Sequence, residues 1–567
     1  MYDERSSFIS AWREANDFVS PRRARFFVTD TNKGDRRTND IIDNTATRAL
    51  RTLSSGMMSG ITSPARRWFR LATPDPDLNE FDPVKEWLYY VSNRMSDIFL
   101  RSNLYNSLKI GYKDIALFAT AATLLEEDMD ETILTYSMPV GSYYIANDAR
   151  NRVRVFGRDY QMTVRQLIEK FGKYDDRTGK PNWEVFSNFV RSEYDRSNYE
   201  TWIDIRHFIT PNREYDPNKI DPKFKEFSSC YYEAGNTGKG RTNYITSMDE
   251  SKYLRESGYD YFPVLAPRWE VTGEDVYGTS CPTFEAMGDI KALQLMQRRK
   301  YEAIEKMVRP PMTGPSSLKN QKVSILPADV TYQDLRADQQ GLRPIFQVDP
   351  RIQELLLDIQ DHQRRISSTY YEDLFLMLAQ SDRRQITARE IDERHEEKLL
   401  ALGPVLEQLN QDLLDPLIEN TFSIMLKRGM VPDAPEELQG MDLKVEYESM
   451  MAEAQKLVGI ASVERFTGFA SQVLQVAPES VDKIDVNQLL DVYGDITSLP
   501  PGIVRSDEKV DQIRQQRAQA IQAQQRMEQI SSMAGAAKDL SQADTEGDNA
   551  LTRIIDQANA GSIVPTR

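Results

Sequence analysis

Two stretches decide the fold of this chain: PTFEAMGDIKALQLMQRRKYEAIEKMV, residues 282–308, and PRIQELLLDIQDHQRRISSTYYEDLFLML, residues 350–378. Each begins with a proline, which is favoured at the first position of a helix, and neither contains a later proline. The first ends just before Pro310-Pro311, because proline cannot continue a helix. The sequence therefore predicts two unbroken helices, each roughly 40 Å long.

The segment between these helices, residues 309–349, is rich in residues that form turns. Its prolines and glycines are Pro310, Pro311, Gly314, Pro315, Pro327, Gly341 and Pro344. Two matched helices that bracket such an insert predict a helical hairpin with a compact projecting tip. Helices this long exceed the usual three to four turns of a globular domain, and they suit a shaft.

Residues 1–281 predict a mixed body with a locally basic N-terminal segment. Apolar residues recur at helical spacing in some stretches, and Tyr, Val and Ile alternate with turn residues in others. Two of the predicted helices start at Asn39 or Asp40 and at Asp82, and three more cover 104–122, 163–172 and 182–191. The predicted strands include 132–160, 201–209 and 228–233. The fold class that follows is α+β and mainly helical.

Two helical patterns concern how helices pack. Gly56 and Gly60 stand four residues apart, which favours equally a close helix crossing and a helix that runs into a loop. The helix after the capping box at 387–390 carries leucines at 3-4 spacing, which we interpret as core packing. Pro404 and Pro416 predict kinks in it.

The C-terminal part of the chain predicts less regular structure. Residues 442–447 read as a strand that is followed by helices to 493, and Pro500-Pro501-Gly502 marks a boundary. Residues 506–530 predict a polar helix that needs neighbours to be stable. After Ser531 the Ala, Gly, Ser and Asp content predicts a mobile tail.

Composition narrows the classes of partner. The formal net charge of −16 argues against tight non-specific DNA binding by the whole body, since phosphate neutralisation supplies most of that affinity. Two cysteines, Cys230 and Cys281, make no disulfide framework and indicate a reducing compartment. The longest apolar run, 115–125, is too short to span a bilayer, and the N-terminus lacks the apolar core of a signal peptide. We expect assembly in a cytoplasm without a membrane stage.

Catalytic patterns are weak in this sequence, so we expect neither an enzyme nor a cofactor. Only His207, His362 and His395 are present, without Cys/His spacing for a metal. Residues 235–242 resemble a phosphate loop, but Gly240 follows the lysine where Ser or Thr should reach magnesium. The acidic run 126–128 could hold a divalent ion, although a solvated loop or strand end explains it as well.

Several longer runs match one known family. They are IDNTA (42–46), GMMSG (56–60), TSPAR (62–66), APRWE (266–270), GEDVYG (273–278), PPM (310–312), VDPRIQEL (348–355) and SDRRQITARE (381–390). Together they resemble the head-to-tail connector, or portal, proteins of short-tailed bacteriophages. The likeness extends from about residue 38 to about residue 508.

The resemblance implies a ring, normally of 12 subunits, at one vertex of a virion capsid. It also implies a division of each subunit into named parts. These are a wing (1–281), two stem helices (282–308 and 350–378) around a clip (309–349), a tunnel loop (379–386), a kinked wing helix (387–439), a crown (440–503), a polar barrel-like helix (504–535) and a tail (536–567). Double-stranded DNA would pass through the ring, which would contact terminase, the major capsid or scaffolding protein and tail adaptors.

The same resemblance singles out two groups of candidate site residues. The tunnel loop contributes Ser381, Asp382, Arg383, Arg384 and Gln385. The two arginines could meet DNA phosphates, or they could pair with acids such as Glu390 or Asp392 of a neighbouring subunit.

The second group lies in the clip. Lys319 and Lys322 could contact DNA, contact an acidic partner surface or simply be solvent-exposed.

Two other functions compete with a portal. One is another oligomeric virion protein, such as a tail adaptor or internal core protein. The other is a metal-dependent nuclease that uses clustered carboxylates.

Overall fold

The computed structural model describes most of the first 447 residues and a short helical stretch further on. The described residues are 1–26, 37–75, 78–79, 81–172, 183, 185–234, 253–313, 343–344, 352–381, 402–438, 440–447, 467–468, 510 and 513–526. Predictions for the phosphate-loop-like segment 235–242, for His395 and for most of the clip and crown lie outside these residues.

Helices form the larger part of the described chain, as the sequence predicts. They are α1 (Tyr2–Val19), α2 (Thr45–Gly60), α3 (Asp82–Arg101), α4 (Leu104–Phe118), α5 (Val164–Phe171), α6 (Asn188–Asp195), α7 (Pro282–Val308), α8 (Ile352–Thr369), α9 (Glu372–Ser381), α10 (Asp415–Lys427) and α11 (513–526). The α5 boundary has a clear chemical cause. Thr163 and Gln166 form a capping box, and Gly172 follows the last turn.

The strands build antiparallel sheets in the body. They are β1 (Phe69–Ala72), β2 (Thr123–Asp128), β3 (Thr132–Ser137), β4 (Tyr143–Asn147), β5 (Val153–Thr163), β6 (Trp202–Pro211), β7 (Phe227–Glu233), β8 (Tyr253–Tyr259), β9 (Val264–Leu265), β10 (Met312–Thr313), β11 (Arg343–Pro344) and β12 (Lys444–Tyr447). The main sheet has the order β4-β5-β6-β7-β8, and a smaller sheet has the order β3-β2-β9. The pairs β1-β12 and β10-β11 stand apart from both.

Burial in the main sheet follows the period of two that is typical of a strand. Along β6 every second residue is buried, so Ile203, Ile205, His207 and Ile209 share one face. Ile203 and Ile205 on that face pack against α5 and α6 in a small apolar cluster, whereas Ile209 belongs to the large core around the helices. The body is therefore α+β, with two cores that meet along the sheet.

The first long helix has the predicted bounds, whereas the second does not. α7 runs from Pro282 to Val308 without interruption. The predicted single helix over 350–378 is wrong, because α8 ends at Thr369 and α9 begins at Glu372. Tyr371 between them has a φ of +53°, outside the helical region.

Burial and hydrogen bonding explain this break. Tyr370 is fully buried, and its hydroxyl lies 2.7 Å from Oγ1 of Thr283 on α7. The ring of Phe375 packs so closely on α2 that a Cβ at Gly56 would lie 2.3 Å from it. Of the two interpretations of the glycine pair, the close crossing holds at Gly56.

Three other helix boundaries differ from the prediction. α2 begins at Thr45 rather than near Asn39, with Asn44 at the N-cap position, and Oδ1 of the preceding Asp43 accepts the Thr45 N–H at 2.9 Å. α4 ends at Phe118, because Ala119 adopts a left-handed conformation and the chain then enters β2. α6 begins at Asn188, where the side chain of Ser187 accepts a hydrogen bond from Val190 N–H.

The helix with the two prolines contains an irregularity where a kink is predicted. Residues 402–409 are helical, Asn410–Leu414 form a π-helical turn, and α10 continues beyond it. The π turn lies just before Pro416, which cannot donate the hydrogen bond that a regular helix needs. The turn places Asp412 against Arg268, with Oδ2 2.9 Å from Nε.

The strand predicted over 442–447 is confirmed as β12, and its partner is β1 near the start of the chain. Further along, α11 falls within the predicted polar helix, and its described residues are almost all exposed.

Candidate functional site in the paired long helices

α7 and α8 form an antiparallel pair, and polar contacts fix their register. On α8, His362 Nδ1 lies 2.8 Å from Oδ1 of Asp289, and Arg365 Nη2 lies 3.4 Å from the same oxygen. Nearer the body, Thr283 meets Tyr370. As the residue number rises on α7 it falls on α8, so the helices run side by side in opposite directions.

A carboxylate from outside the pair holds both helices together. Oδ2 of Asp43 accepts hydrogen bonds from Nε2 of Gln297 on α7 and Nε2 of Gln363 on α8, each at 2.9 Å. Gln294 completes the contact, because its Oε1 accepts the Ile42 and Asp43 N–H groups at 2.7 and 2.8 Å. Sequence reasoning missed this site, since a lone Asp before a helix predicts only a cap.

The ionised form of Asp43 is favoured at this contact. Burial alone would raise the pKa of its carboxyl group, but hydrogen bonds from Thr45, Gln363 and Gln297 outweigh burial and lower it. The charge in turn strengthens those hydrogen bonds. Asp43 is therefore a fixed anionic clamp at pH 7.

The two halves of α7 differ in burial. Between Pro282 and Gln297 one side of the helix is buried in the large core, whereas from Arg298 to Val308 every residue is exposed or half-buried. The adjacent start of α8 is similar, since Ile359 is the first buried residue among those of α8 whose side chains are described. The far part of the pair thus extends on the order of 16 Å from the body.

This far part carries large apolar side chains that the described chain leaves exposed. We call them the distal apolar set: Tyr301, Ile304, Met307 and Val308 on α7, and Leu356 and Leu357 on α8. Val308 is 72% exposed and Leu357 66%. A concentration of apolar surface on a projecting element is typical of a protein interface.

The candidate channel residues follow directly from α9. Ser381 is the last residue of that helix, so the chain enters 382–385 from an element that is packed on α2 at Gly56. Asp382, Arg383, Arg384 and Gln385 lie outside the described residues, as do Lys319 and Lys322 of the predicted clip. Of the predicted tunnel-loop and clip candidates, the structure describes the backbone of Ser381 alone.

The acidic run 126–128 has a structural role in the described chain. Oε1 of Glu127 lies 2.8 Å from Nε of Arg428, and Lys427 is also within ion-pair distance. Oδ2 of Asp128 accepts the N–H groups of the next turn, so the run is a strand end as one interpretation held. Within the described residues no group of three His, Cys, Asp or Glu side chains could hold a metal ion.

The two histidines in the described chain also have structural surroundings. His207 is fully buried and stacks on Tyr231, with ring centroids 3.7 Å apart. Burial, together with Arg158, Lys170 and Arg255, lowers the pKa of His207 well below its usual range, so it is neutral at pH 7.

Cys230 and Cys281 are free thiols, and burial raises the pKa of Cys281 to about 12. Among the described helices, none is both long and apolar enough to cross a membrane.

Comparison with known proteins defines the family. The model of the family described as "Bacteriophage head to tail connecting protein" matches residues 1–504, which is most of the chain. The protein therefore belongs to the bacteriophage head-to-tail connecting protein family, and the resemblance of its sequence motifs is confirmed.

Two relatives match along nearly their whole lengths. The portal protein of Salmonella phage epsilon15 is 46% identical over 558 residues, which cover 98% of this chain and 96% of that protein. The probable portal protein of Bordetella phage BPP-1 is 42% identical over 551 residues, which cover 97% of this chain and 95% of that protein.

Proposed function

We propose that this chain is a bacteriophage portal subunit, of which copies, normally 12, form a ring at one vertex of the capsid. DNA passes through the ring during packaging and again during ejection. The proposal is supported by family membership and by the names of the two relatives. In this role the protein does mechanical work and catalyses no reaction.

The observation that carries the proposal is the projecting antiparallel pair with its distal apolar set. Apolar side chains such as Val308 and Leu357 gain free energy when they leave water, at roughly 25 cal/mol per Å². In a ring, the far part of each pair packs against the pairs of its neighbours, and together they form a wall around a hole. The clamp at Asp43 fixes the angle at which each pair leaves the body.

The acidic composition suits a conduit. Each phosphate that a protein neutralises adds salt-dependent affinity, so a lining with many cations would hold DNA still. A net charge of −16 with few basic contacts lets DNA move. We propose that the limited contact comes from Ser381, Asp382, Arg383, Arg384 and Gln385, at and just beyond the end of α9, and that these residues face the channel.

The remaining parts of the subunit would serve docking. The clip over 309–349, with Lys319 and Lys322, meets terminase during packaging and tail adaptor proteins afterwards. The wing contacts the major capsid or scaffolding protein. The ring is a component of the virion at the portal vertex, and it assembles in the host cytoplasm.

Electron microscopy of the purified protein tests the assembly. We expect rings with an open centre for the natural sequence, and loss of rings when Tyr301, Ile304 and Val308 are all replaced by serine. The matched control replaces Tyr89, Tyr90 and Leu100, three similarly exposed residues of α3, and should keep its rings. Rings that survive the distal replacement, or a stable monomer under all conditions, would contradict the proposal.

A second experiment tests the channel residues. The double variant Arg383→Ala, Arg384→Ala should leave rings intact but reduce DNA packaging or retention. The control is a second double variant, Arg66→Ala, Arg67→Ala, which removes two consecutive arginines elsewhere in the chain and should leave packaging unchanged. If the first double variant fails to form rings, the two arginines pair with acids of a neighbouring subunit instead of meeting DNA.

A further inference from the structure

A small pocket at the surface of the body is built around the buried side chain of Arg5. We call it the Arg5 pocket, and its cavity has a volume of about 170 Å³. The residues that line it are Tyr2, Arg5, Arg25, Phe26, Gly141, Ser142, Tyr144, Asp159 and Tyr160. Neither the family nor the two relatives' names assign a ligand to this place.

Three separate parts of the chain hold the walls of the pocket in position. Helix α1 supplies Arg5, and the turn before β4 supplies Gly141, whose carbonyl oxygen accepts a hydrogen bond from Nη1 of Arg5. Gly141 has a φ of +90°, and a Cβ there would lie 2.5 Å from the backbone oxygen of Arg25. Arg25 N–H in turn donates to Val140 O at 2.9 Å. The pocket is thus a rigid feature of the fold.

The guanidinium of Arg5 lacks a counter-charge within the described chain. Its side chain is 94% buried, since only 6% remains exposed, yet Nε has no hydrogen-bond partner and no described carboxylate forms an ion pair with it. Its centre lies 4.3 Å from the ring of Tyr144 and 5.5 Å from that of Tyr2. Contact with ring faces only partly offsets the desolvation of a buried charge.

The carboxylate that lines the same pocket is already neutralised by others. Oδ2 of Asp159 accepts a hydrogen bond from the Tyr144 hydroxyl at 3.0 Å, and Oδ1 lies 3.2 Å from Nε of Arg206. Asp159 therefore does not serve as the partner of Arg5. The single unpaired guanidinium of Arg5 therefore matches a ligand with one negative charge.

We propose that the Arg5 pocket binds the carboxylate of an acidic side chain on a partner polypeptide. A carboxylate has one negative charge and a planar pair of oxygens, which matches the fork of a guanidinium. A cavity near 150 Å³ accommodates a molecule of the size of benzene, so this one fits the end of a single side chain. Tyr2 at the mouth is 64% exposed, and tyrosine and arginine are both enriched where proteins meet.

Calorimetric titration of the full-length protein tests this proposal with N-acetyl-glutamate amide as the probe and N-acetyl-glutamine amide as its uncharged control. We expect binding of the glutamate probe alone. Arg5→Met should weaken that binding at least about tenfold, because it removes a charge-assisted hydrogen-bond donor. Arg154→Met should leave it unchanged, since Arg154 is an exposed arginine on β5 that already pairs with Glu226 at 3.0 Å.

A second variant keeps the test informative if Arg5→Met does not fold. Tyr2→Ala changes only an exposed side chain at the mouth of the pocket, and it should also weaken binding of the glutamate probe. Equal binding of the probe by the natural protein and both variants would overturn the proposal.

Other ligands give different outcomes. If acetate binds as tightly as the glutamate probe, the pocket takes a free small carboxylate and the polypeptide source is wrong. If inorganic phosphate binds more tightly than either, the carboxylate assignment is wrong. If binding appears only after Asp30→Asn or Asp35→Asn, the chain supplies its own carboxylate and no partner is needed.

Discussion

The near and far halves of α7 belong to one unbroken helix, but they have different surroundings. From Pro282 to Gln297 the helix buries one side in the large core, and from Arg298 onwards none of its residues is buried. The change occurs where Asp43 binds Gln297 and Gln363. The difference shows that apolar residues on a regular helix can serve either the subunit's own core or a surface left for neighbours.

The largest expected difference between the two halves of α7 comes from making the same Ile→Ala substitution in each half. Ile290 is fully buried, so Ile290→Ala should lower the free energy of unfolding by about 2–5 kcal/mol. Ile304 is 38% exposed, so Ile304→Ala should change it by less than about 0.5 kcal/mol in the separated subunit. Urea denaturation, at a protein concentration low enough for rings to dissociate, measures the free energy of unfolding of both variants. Equal losses would show that the far half packs within its own subunit.

The boundary between the halves can be tested at the clamp. Asp43→Asn removes the charge that accepts hydrogen bonds from two glutamines and the Thr45 N–H, and it should cost about 1.5–3 kcal/mol. Asp40→Asn, an exposed neighbour, is the control and should have little effect. Chemical denaturation measures the loss, and electron microscopy should show rings with less uniform stems. If Asp43→Asn leaves the free energy of unfolding and the rings unchanged, the Asp43 clamp does not hold the boundary between the two halves.

A smaller effect is expected where α9 crosses α2. Gly56→Ala places a methyl group 2.3 Å from the ring of Phe375, and overpacking of this kind costs about 1–3 kcal/mol. Gly288→Ala on α7 meets nothing within 4 Å, so it should instead stabilise the helix by about 0.5–1 kcal/mol. Thermal unfolding of the two variants should therefore shift in opposite directions. A shift in the same direction would mean that the crossing is looser than described.

The smallest effect concerns the body away from the paired helices and depends on pH. The pKa of His207 in the folded protein lies well below its ordinary value of 6.5, mainly because of burial. Below pH 6.5 the unfolded chain binds a proton that the folded chain does not, so stability falls as pH falls, by up to about 1.4 kcal/mol per pH unit. His207→Phe keeps a ring beside Tyr231 and should flatten this slope between pH 6.5 and 5. An unchanged slope would assign the pH dependence to other groups.

Some of the architecture follows from local chemistry alone. α7 has its predicted bounds because Pro282 is favoured at a helix start and Pro310-Pro311 cannot continue the helix. The helix predicted over 163–172 and the strands predicted over 201–209 and 442–447 likewise depend on local patterns, and α5, β6 and β12 appear there. The family was also predictable, because it depends on long runs of residues in a fixed order.

Tertiary structure decided what depends on residues far apart in the chain. Nothing local marks Tyr370 and Tyr371 as a helix break, because its causes are a hydroxyl on Thr283 and the space left by Gly56. The clamp at Asp43 and the unpaired charge of Arg5 arise in the same way, since each is defined by partners more than 100 positions away. A pattern along one chain records which residues prefer burial, whereas only the packed fold determines which neighbour buries them.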